Sequence, residues 1–258
     1  MKRKCLLLSG MIVMVAMLVI MMASGAQAEE PQGWKAEITP YAWLAGLSGD
    51  MKLHGHEIEF DKSFSDLFEA VEIAGGLLGV VQYNRFLVWG QTDYFSLSTD
   101  KMDVDQQPKG GRLETKMLLN ELAVGYQFDG FYEGQTFDAL VGFRALRFES
   151  DVTVYRTGRT INNTETFYDP MLVLRPSFPL FPSKIKGLRF NPTLAIGGGG
   201  NADLVYELQP QIQYDINQNV SVRLGYRTVG YKFKGDNNSD NELNINLSGL
   251  IFGVGIKF

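Results

Sequence analysis

Residues Asn241 to Phe258 read Asn-Glu-Leu-Asn-Ile-Asn-Leu-Ser-Gly-Leu-Ile-Phe-Gly-Val-Gly-Ile-Lys-Phe. Leu250, Phe252, Val254, Ile256 and Phe258 share one parity, and Gly249, Ile251, Gly253, Gly255 and Lys257 share the other. Side chains alternate across a strand, so the segment has one large apolar face and one mostly small face. It stops on the aromatic, with no polar tail. A face like this needs an apolar medium, which is a protein core or lipid.

The bulk numbers favour lipid. The 258 residues suffice for one large barrel or two small domains. Aromatics make up 12%, there are 28 glycines, and the mean hydropathy is −0.07. A transmembrane β-barrel has this balance, because half of each strand is polar and faces inward. A helical membrane protein is far more apolar. The formal charge is −5, and it becomes −8 once Lys2, Arg3 and Lys4 are set aside. That argues against a basic face for nucleic acid.

The first residues form an export signal. Met1 to Lys4 is positive, Leu6 to Met22 is an apolar run, and Ala26-Gln-Ala28 is a small-x-small cleavage site. Cleavage of 1–28 leaves 29–258 as one barrel domain. An uncleaved anchor helix is the alternative, since the run is long enough to span a bilayer. Cys5 is the single cysteine. The exported chain therefore has no disulfide, thiol nucleophile or cysteine metal site.

From Trp34 onward the hydrophobic period is two, in ten segments long enough to cross an outer membrane. They are 34–46, 73–83, 86–98, 114–128, 136–155, 165–178, 188–197, 203–215, 220–233 and the closing strand. The eighth is the plainest. Leu204, Tyr206, Leu208, Ile212 and Tyr214 alternate with Glu207, Gln209, Gln211, Gln213 and Asp215. The expected fold is all-β: a single antiparallel transmembrane β-barrel of about ten strands, with eight or twelve as alternatives. The fifth and ninth segments lose parity, the ninth near Thr228, which predicts bulges. Prolines 40, 170, 176, 192 and 210 fall within strands. Each removes a ladder hydrogen bond, so strand ends are expected near some of them. Short turns at one end (Asn84-Arg85, 129–135, 180–186 and 216–219) face longer polar loops at the other (48–71, 99–112, 156–164, 198–202 and 234–241). The long-loop end is expected outside the cell. A short loop helix is expected at 63–71. Ser63 caps it, and Phe64, Leu67, Phe68 and Val71 share one face.

Several short motifs carry a family resemblance. They are Trp34 with Thr39-Pro-Tyr-Ala-Trp43, Gly46-Leu-Ser-Gly49, Phe64-Ser-Asp-Leu67, Leu224-Gly-Tyr-Arg227 and the terminal strand. Together they resemble a family of small, uncharacterised Gram-negative outer-membrane β-barrels of OmpA-like or porin-like architecture. A Gly-rich hinge into a Ser-Asp-Leu strand is matched in part by Gly197 to Leu204. The resemblance implies outer-membrane localisation after signal cleavage. It implies Phe252, Val254, Ile256 and Phe258 as a C-terminal signal read by the barrel-assembly machinery, and lipid and lipopolysaccharide as surroundings. It supplies no catalytic residues to carry over; no cofactor and, from the charge, no nucleic-acid partner is expected, and the oligomeric state is left open.

Chemistry is expected inside. The inward parity holds Glu37, Asp93, Glu121, Asp138, Asp169 and Glu207 with Arg144, Arg175, Arg189, Arg223 and Arg227. Buried charges must pair, so this set is either a salt-bridge plug or the lining of a narrow, ion-selecting pore. The expected function is therefore an integral outer-membrane barrel with a structural or narrow-channel role and no catalysis. The alternative is a cell-surface protease or lipid-modifying enzyme, with His54 or His56 paired with Asp61 or Asp93. His54 and His56 are also weak metal candidates beside Glu57, Glu59 and Asp61. Asp236 to Asp240 resembles the start of a calcium loop but lacks its glycine and closing glutamate. A soluble barrel would need a polar exterior, and the inward Glu207 to Gln213 row argues against one.

Overall fold

Hydrogen-bond ladders run from strand to strand around this chain and return to the first. The computed structural model describes residues 33–53, 56–62, 71–104, 107–156, 158–234 and 242–258. The signal at 1–28, His54, the helix expected over 63–70 and the calcium-like Asp236 to Asp240 lie outside them. Val71, the last residue of that expected helix, opens a strand.

The strands are β1 (Trp34–Leu53), β2 (His56–Lys62), β3 (Val71–Tyr83), β4 (Phe86–Val104), β5 (Gln107–Asp129), β6 (Thr136–Val154), β7 (Arg159–Pro179), β8 (Leu188–Phe190), β9 (Thr193–Gly197), β10 (Leu204–Gln209), β11 (Gln211–Asp215), β12 (Val220–Lys234) and β13 (Glu242–Lys257). β1 pairs with β3 on one side and β13 on the other, and this closes the ring. β8 with β9 makes one stave and β10 with β11 another, while β2 folds back on the end of β1. The result is ten antiparallel staves, the number expected from the period-two segments.

The prolines explain the split staves. The ladders flanking Pro192 place it level with Pro176 on β7 and with Pro210 on the next stave. Proline has no N–H to donate, so the bridges lapse along this row and resume in the same register beyond it. Across Pro210 the wall holds, because the Tyr226 amide donates to its carbonyl (3.0 Å). Pro40 acts alike: the β1–β13 ladder skips Thr39 and Pro40, while β3 still pairs with Pro40.

Two expectations are corrected. β6 and β12 carry no bulge, because their registers with both neighbours are unbroken. The apparent loss of parity has another cause. Val229 and Tyr231 sit on the same inward face as Arg223 and Arg227, so the interior itself changes from charged to apolar. The expected long loops are also mostly strand. β4 runs to Val104 and β5 starts at Gln107, while β6 runs to Val154 and β7 starts at Arg159. Above the lipid both faces of a hairpin are wet, so no apolar alternation marks it. Thr153 and Thr160 there face each other at 3.0 Å between hydroxyl oxygens.

Burial is inverted relative to a soluble protein. Leu122, Val124, Val141, Leu208, Leu224, Leu250 and Phe252 are exposed, while Arg144, Arg227, Asp93 and Glu207 are buried. Along β13 and the residue after it, Phe252, Val254, Ile256 and Phe258 point out, and Gly253, Gly255 and Ile251 point in. From Phe128 to Leu118 the outward face of β5 covers roughly 33 Å of strand. At a tilt of about 40° this spans about 25 Å, the height of a lipid-facing band. Aromatics ring the short-turn end, with Trp34 against Tyr83 (4.8 Å), Phe86 against Tyr126 (5.2 Å) and Phe137 against Phe178 (6.0 Å). Such girdles settle at the headgroup level. The chain has the architecture of an outer-membrane β-barrel.

Substituting Leu122→Arg in the middle of this band should destabilise the barrel by about 2–4 kcal/mol. The same change at exposed Asn163 on the tall hairpin should leave it unchanged. Urea titration of the lipid-embedded barrel measures both.

Candidate functional site

Ten staves enclose a narrow interior, which side chains can fill. Here they fill it in three layers. Arg227 on β12 sits at the centre of the middle layer. Its Nη1 reaches Asp93 Oδ2 on β4 (2.6 Å) and its Nη2 reaches Glu121 Oε1 on β5 (2.6 Å). Its Nε and Nη2 fork onto Glu207 of β10 (2.9 and 3.2 Å). With its amide oxygen turned inward, Gln91 accepts from Nη1 at 2.7 Å. All five guanidinium N–H donors therefore have acceptors. The Trp43 ring covers the guanidinium at 4.6 Å.

Register places these groups. Glu121 lies directly opposite Arg144 on β6 and Gln91 on β4. Arg144 Nη2 contacts Glu121 Oε2 at 2.9 Å and bonds Glu207. Its Nε and Nη1 make no hydrogen bond among the described residues, so Arg144 is less completely satisfied than Arg227. Tyr41 of β1 donates to Asp93 Oδ1 (2.5 Å) by reaching over Gly76, which lies between them in the row. A β-carbon at position 76 would overlap the Tyr41 ring.

The second layer lies toward the short-turn end, around a polar vestibule of about 490 Å³. Arg223 Nη2 bonds Glu37 Oε1 (2.5 Å), and a β-carbon at Gly255 would fall on that carboxylate. Arg175 Nη1 stands 3.5 Å from Asp138 Oδ2, and the Arg175 guanidinium lies over the Trp89 ring at 5.7 Å. Lys257 Nζ pairs with Asp215 (2.6 Å). Arg189 donates to Ser177 Oγ (2.8 Å) and the Gly134 carbonyl (2.7 Å). The third layer is apolar. Trp43, Phe95, Leu119, Leu146, Val229, Tyr231 and Leu247 are all buried there. Phe167 packs on Phe233 (5.0 Å).

All eleven expected lumen charges face inward, but they do not form one network. Arg227, Arg144, Asp93, Glu121 and Glu207 come together, while Glu37, Asp138, Arg175, Arg189 and Arg223 line the vestibule. Asp169 does neither: its Oδ1 accepts the Ala202 amide (2.9 Å) and ties down the 198–203 turn. Tyr41, Trp43 and Gln91 were not foreseen as partners of the network. Their inward parity was the only sign.

For His56 the pairing with Asp93 is overturned. His56 opens β2 opposite Leu53, whereas Asp93 is bonded at the level of Tyr41. Roughly 40 Å of strand separates these levels. Among the described residues no group of three or more histidines, cysteines or acids is placed to hold a metal.

No protein-family model and no curated protein sequence matches the chain. Among solved structures it is similar to the outer membrane protease OmpT from Escherichia coli (TM-score 0.48, 12% identity, 91% of this chain and 99% of that one). It is also similar to the translocator domain of the autotransporter NalP from Neisseria meningitidis (0.44, 11%, 97% and 97%). A third is Ail, the attachment invasion locus protein of Yersinia pestis (0.39, 11%, 88% and 100%). Likeness at this level says nothing of activity or partners.

Removing Arg227 leaves three buried carboxylates with only Arg144, on Glu121 and Glu207, to offset them. Arg227→Met should therefore destabilise the barrel by about 3–5 kcal/mol, and Arg144→Met by less. Arg227→Lys should not restore stability, because a point charge cannot serve four acceptor groups. Gly76→Val should weaken the barrel by displacing Tyr41 from Asp93. The urea midpoints of these four variants, set against wild type, rank the contributions.

Proposed function

We propose that this protein is an integral outer-membrane barrel with a structural, non-conducting role and no catalysis. The observation that carries the reading is the middle layer. Arg144, Arg227, Asp93, Glu121 and Glu207 are buried across the lumen, beneath a buried aromatic and aliphatic layer. An open selectivity filter leaves its charged lining wet and its ions free to leave. Here the charges are bound to one another.

In this reading the inward charges resolve the constraint set by a polar-in, apolar-out wall. They hold staves from opposite sides of the ring at fixed separation. The apolar exterior takes outer-membrane lipid, with lipopolysaccharide in the outer leaflet. The outward row Phe252, Val254, Ile256 and Phe258 is the segment offered to the barrel-assembly machinery, following export on the N-terminal signal. The tall β4–β7 hairpins stand clear of the lipid on the cell-surface side.

Planar-bilayer recording tests the reading. Wild-type barrel, shown to be inserted by protease protection, should give no discrete current steps. The Arg144→Ala/Arg227→Ala double variant, if it folds, should stay silent too, because Trp43, Phe95, Leu119, Val229 and Tyr231 still fill the lumen. Steps from wild type would replace this reading with the narrow-channel one.

A further inference from the structure

The vestibule has a charge balance unlike the layer above it. Five cationic side chains and three acidic side chains line it, with Phe258 at its rim, so its side chains carry two positive charges in excess. The middle layer is the reverse, with two arginines among three acids.

Its carboxylates are already engaged. Glu37 is taken by Arg223 and Asp215 by Lys257. Asp138 accepts from Gln127 Nε2 (2.8 Å) and holds Arg175 only loosely. Arg189 hydrogen-bonds a hydroxyl and a backbone carbonyl, and the acid whose charge acts on it, Asp215, is already paired with Lys257. Arg223 Nε and Arg175 Nη1 are buried and make no hydrogen bond among the described residues. Arg223 itself is only 6% exposed. Register sets Arg223 and Arg189 on either side of Gln213, in one row across three adjacent strands. Arg175 is two residues from Ser177, the Arg189 partner, on the same face of β7. Three arginines with unfilled or neutral-bonded donors thus converge on one water-sized to metabolite-sized space. Buried donors without acceptors are costly, and guanidinium forks match oxygen pairs on carboxylate and phosphate.

We propose that the vestibule is a binding site for a small oxyanion, a phosphate or carboxylate group, held by Arg175, Arg189 and Arg223. The acid-rich layer beyond repels such a ligand, so it enters and does not pass. The site opens at the short-turn end, which places its ligand on the periplasmic side of the membrane. This goes beyond the structural reading and does not depend on it.

Isothermal titration of the folded barrel in non-ionic detergent tests the proposal, with inorganic phosphate and succinate as probes and chloride as control. Saturable binding of one probe per barrel is expected, and the better probe identifies the source as phosphoryl or carboxylate. Arg175→Gln and Arg223→Gln should each weaken binding by about tenfold or more. Arg189→Gln should do the same. It removes no ion pair and so leaves the fold intact if the other two do not refold. Arg147→Gln on the exposed wall should bind like wild type. Failure of both oxyanions to saturate would overturn the site. Equal affinity in wild type and the arginine variants, or chloride binding as well as either oxyanion, would overturn it too. Binding is read at equilibrium, so none of these failures bears on conductance.

Discussion

Closure of the β1–β13 ladder is the constraint from which the rest follows. In hydrocarbon no water serves a backbone N–H or C=O, and an unpaired group costs several kcal/mol. A sheet can cross only if its first and last strands meet. Here they meet over Glu37 to Lys52 opposite Lys257 to Glu242, interrupted only where Pro40 lacks a donor. The glycine-rich inner face of β13 is part of that meeting, because it leaves room for Glu37 and Tyr41 at the seam.

Once the ring closes with its apolar face outward, the alternate residues are forced into a narrow lumen. Charges in such a space must find one another. Arg227 is suited to this, being planar, always charged and able to fork. It links β4, β5 and β10 from its own place on β12. Opposite sides of the barrel are thereby tied through one side chain. The aromatic lid over it keeps water away and strengthens each of these contacts. Below it the lining is looser, and the arginines exceed the acids available to them. One lumen therefore holds a closed region and a chemically unsatisfied one.

Much of this was legible in the residues. The ten staves follow from period-two segments, and the alternation of Leu204 to Asp215 assigned each side chain of β10 and β11 to its face. The inward list was placed by parity alone. What misled was the assumption that the inner face stays polar. In β12 it turns from Arg227 to Val229 and Tyr231, which mimics a slip in register. The hairpins above the lipid were missed for a related reason. Ladder hydrogen bonds need no hydrophobic pattern, and with water on both faces there is none to read.

The sequence by itself determined the fold, the lipid-facing surface and which side chains enter the lumen. All three depend on alternation, a local property. The tertiary structure alone decided which charges meet. Partners such as Asp93 and Arg227 lie on staves that are not neighbours and are brought together across the lumen only when the ring closes at a particular stagger. That stagger separates the bound middle layer from the vestibule. It also assigns Asp169 to a turn, and it leaves Arg175, Arg189 and Arg223 facing a space that the chain's own acids do not fill.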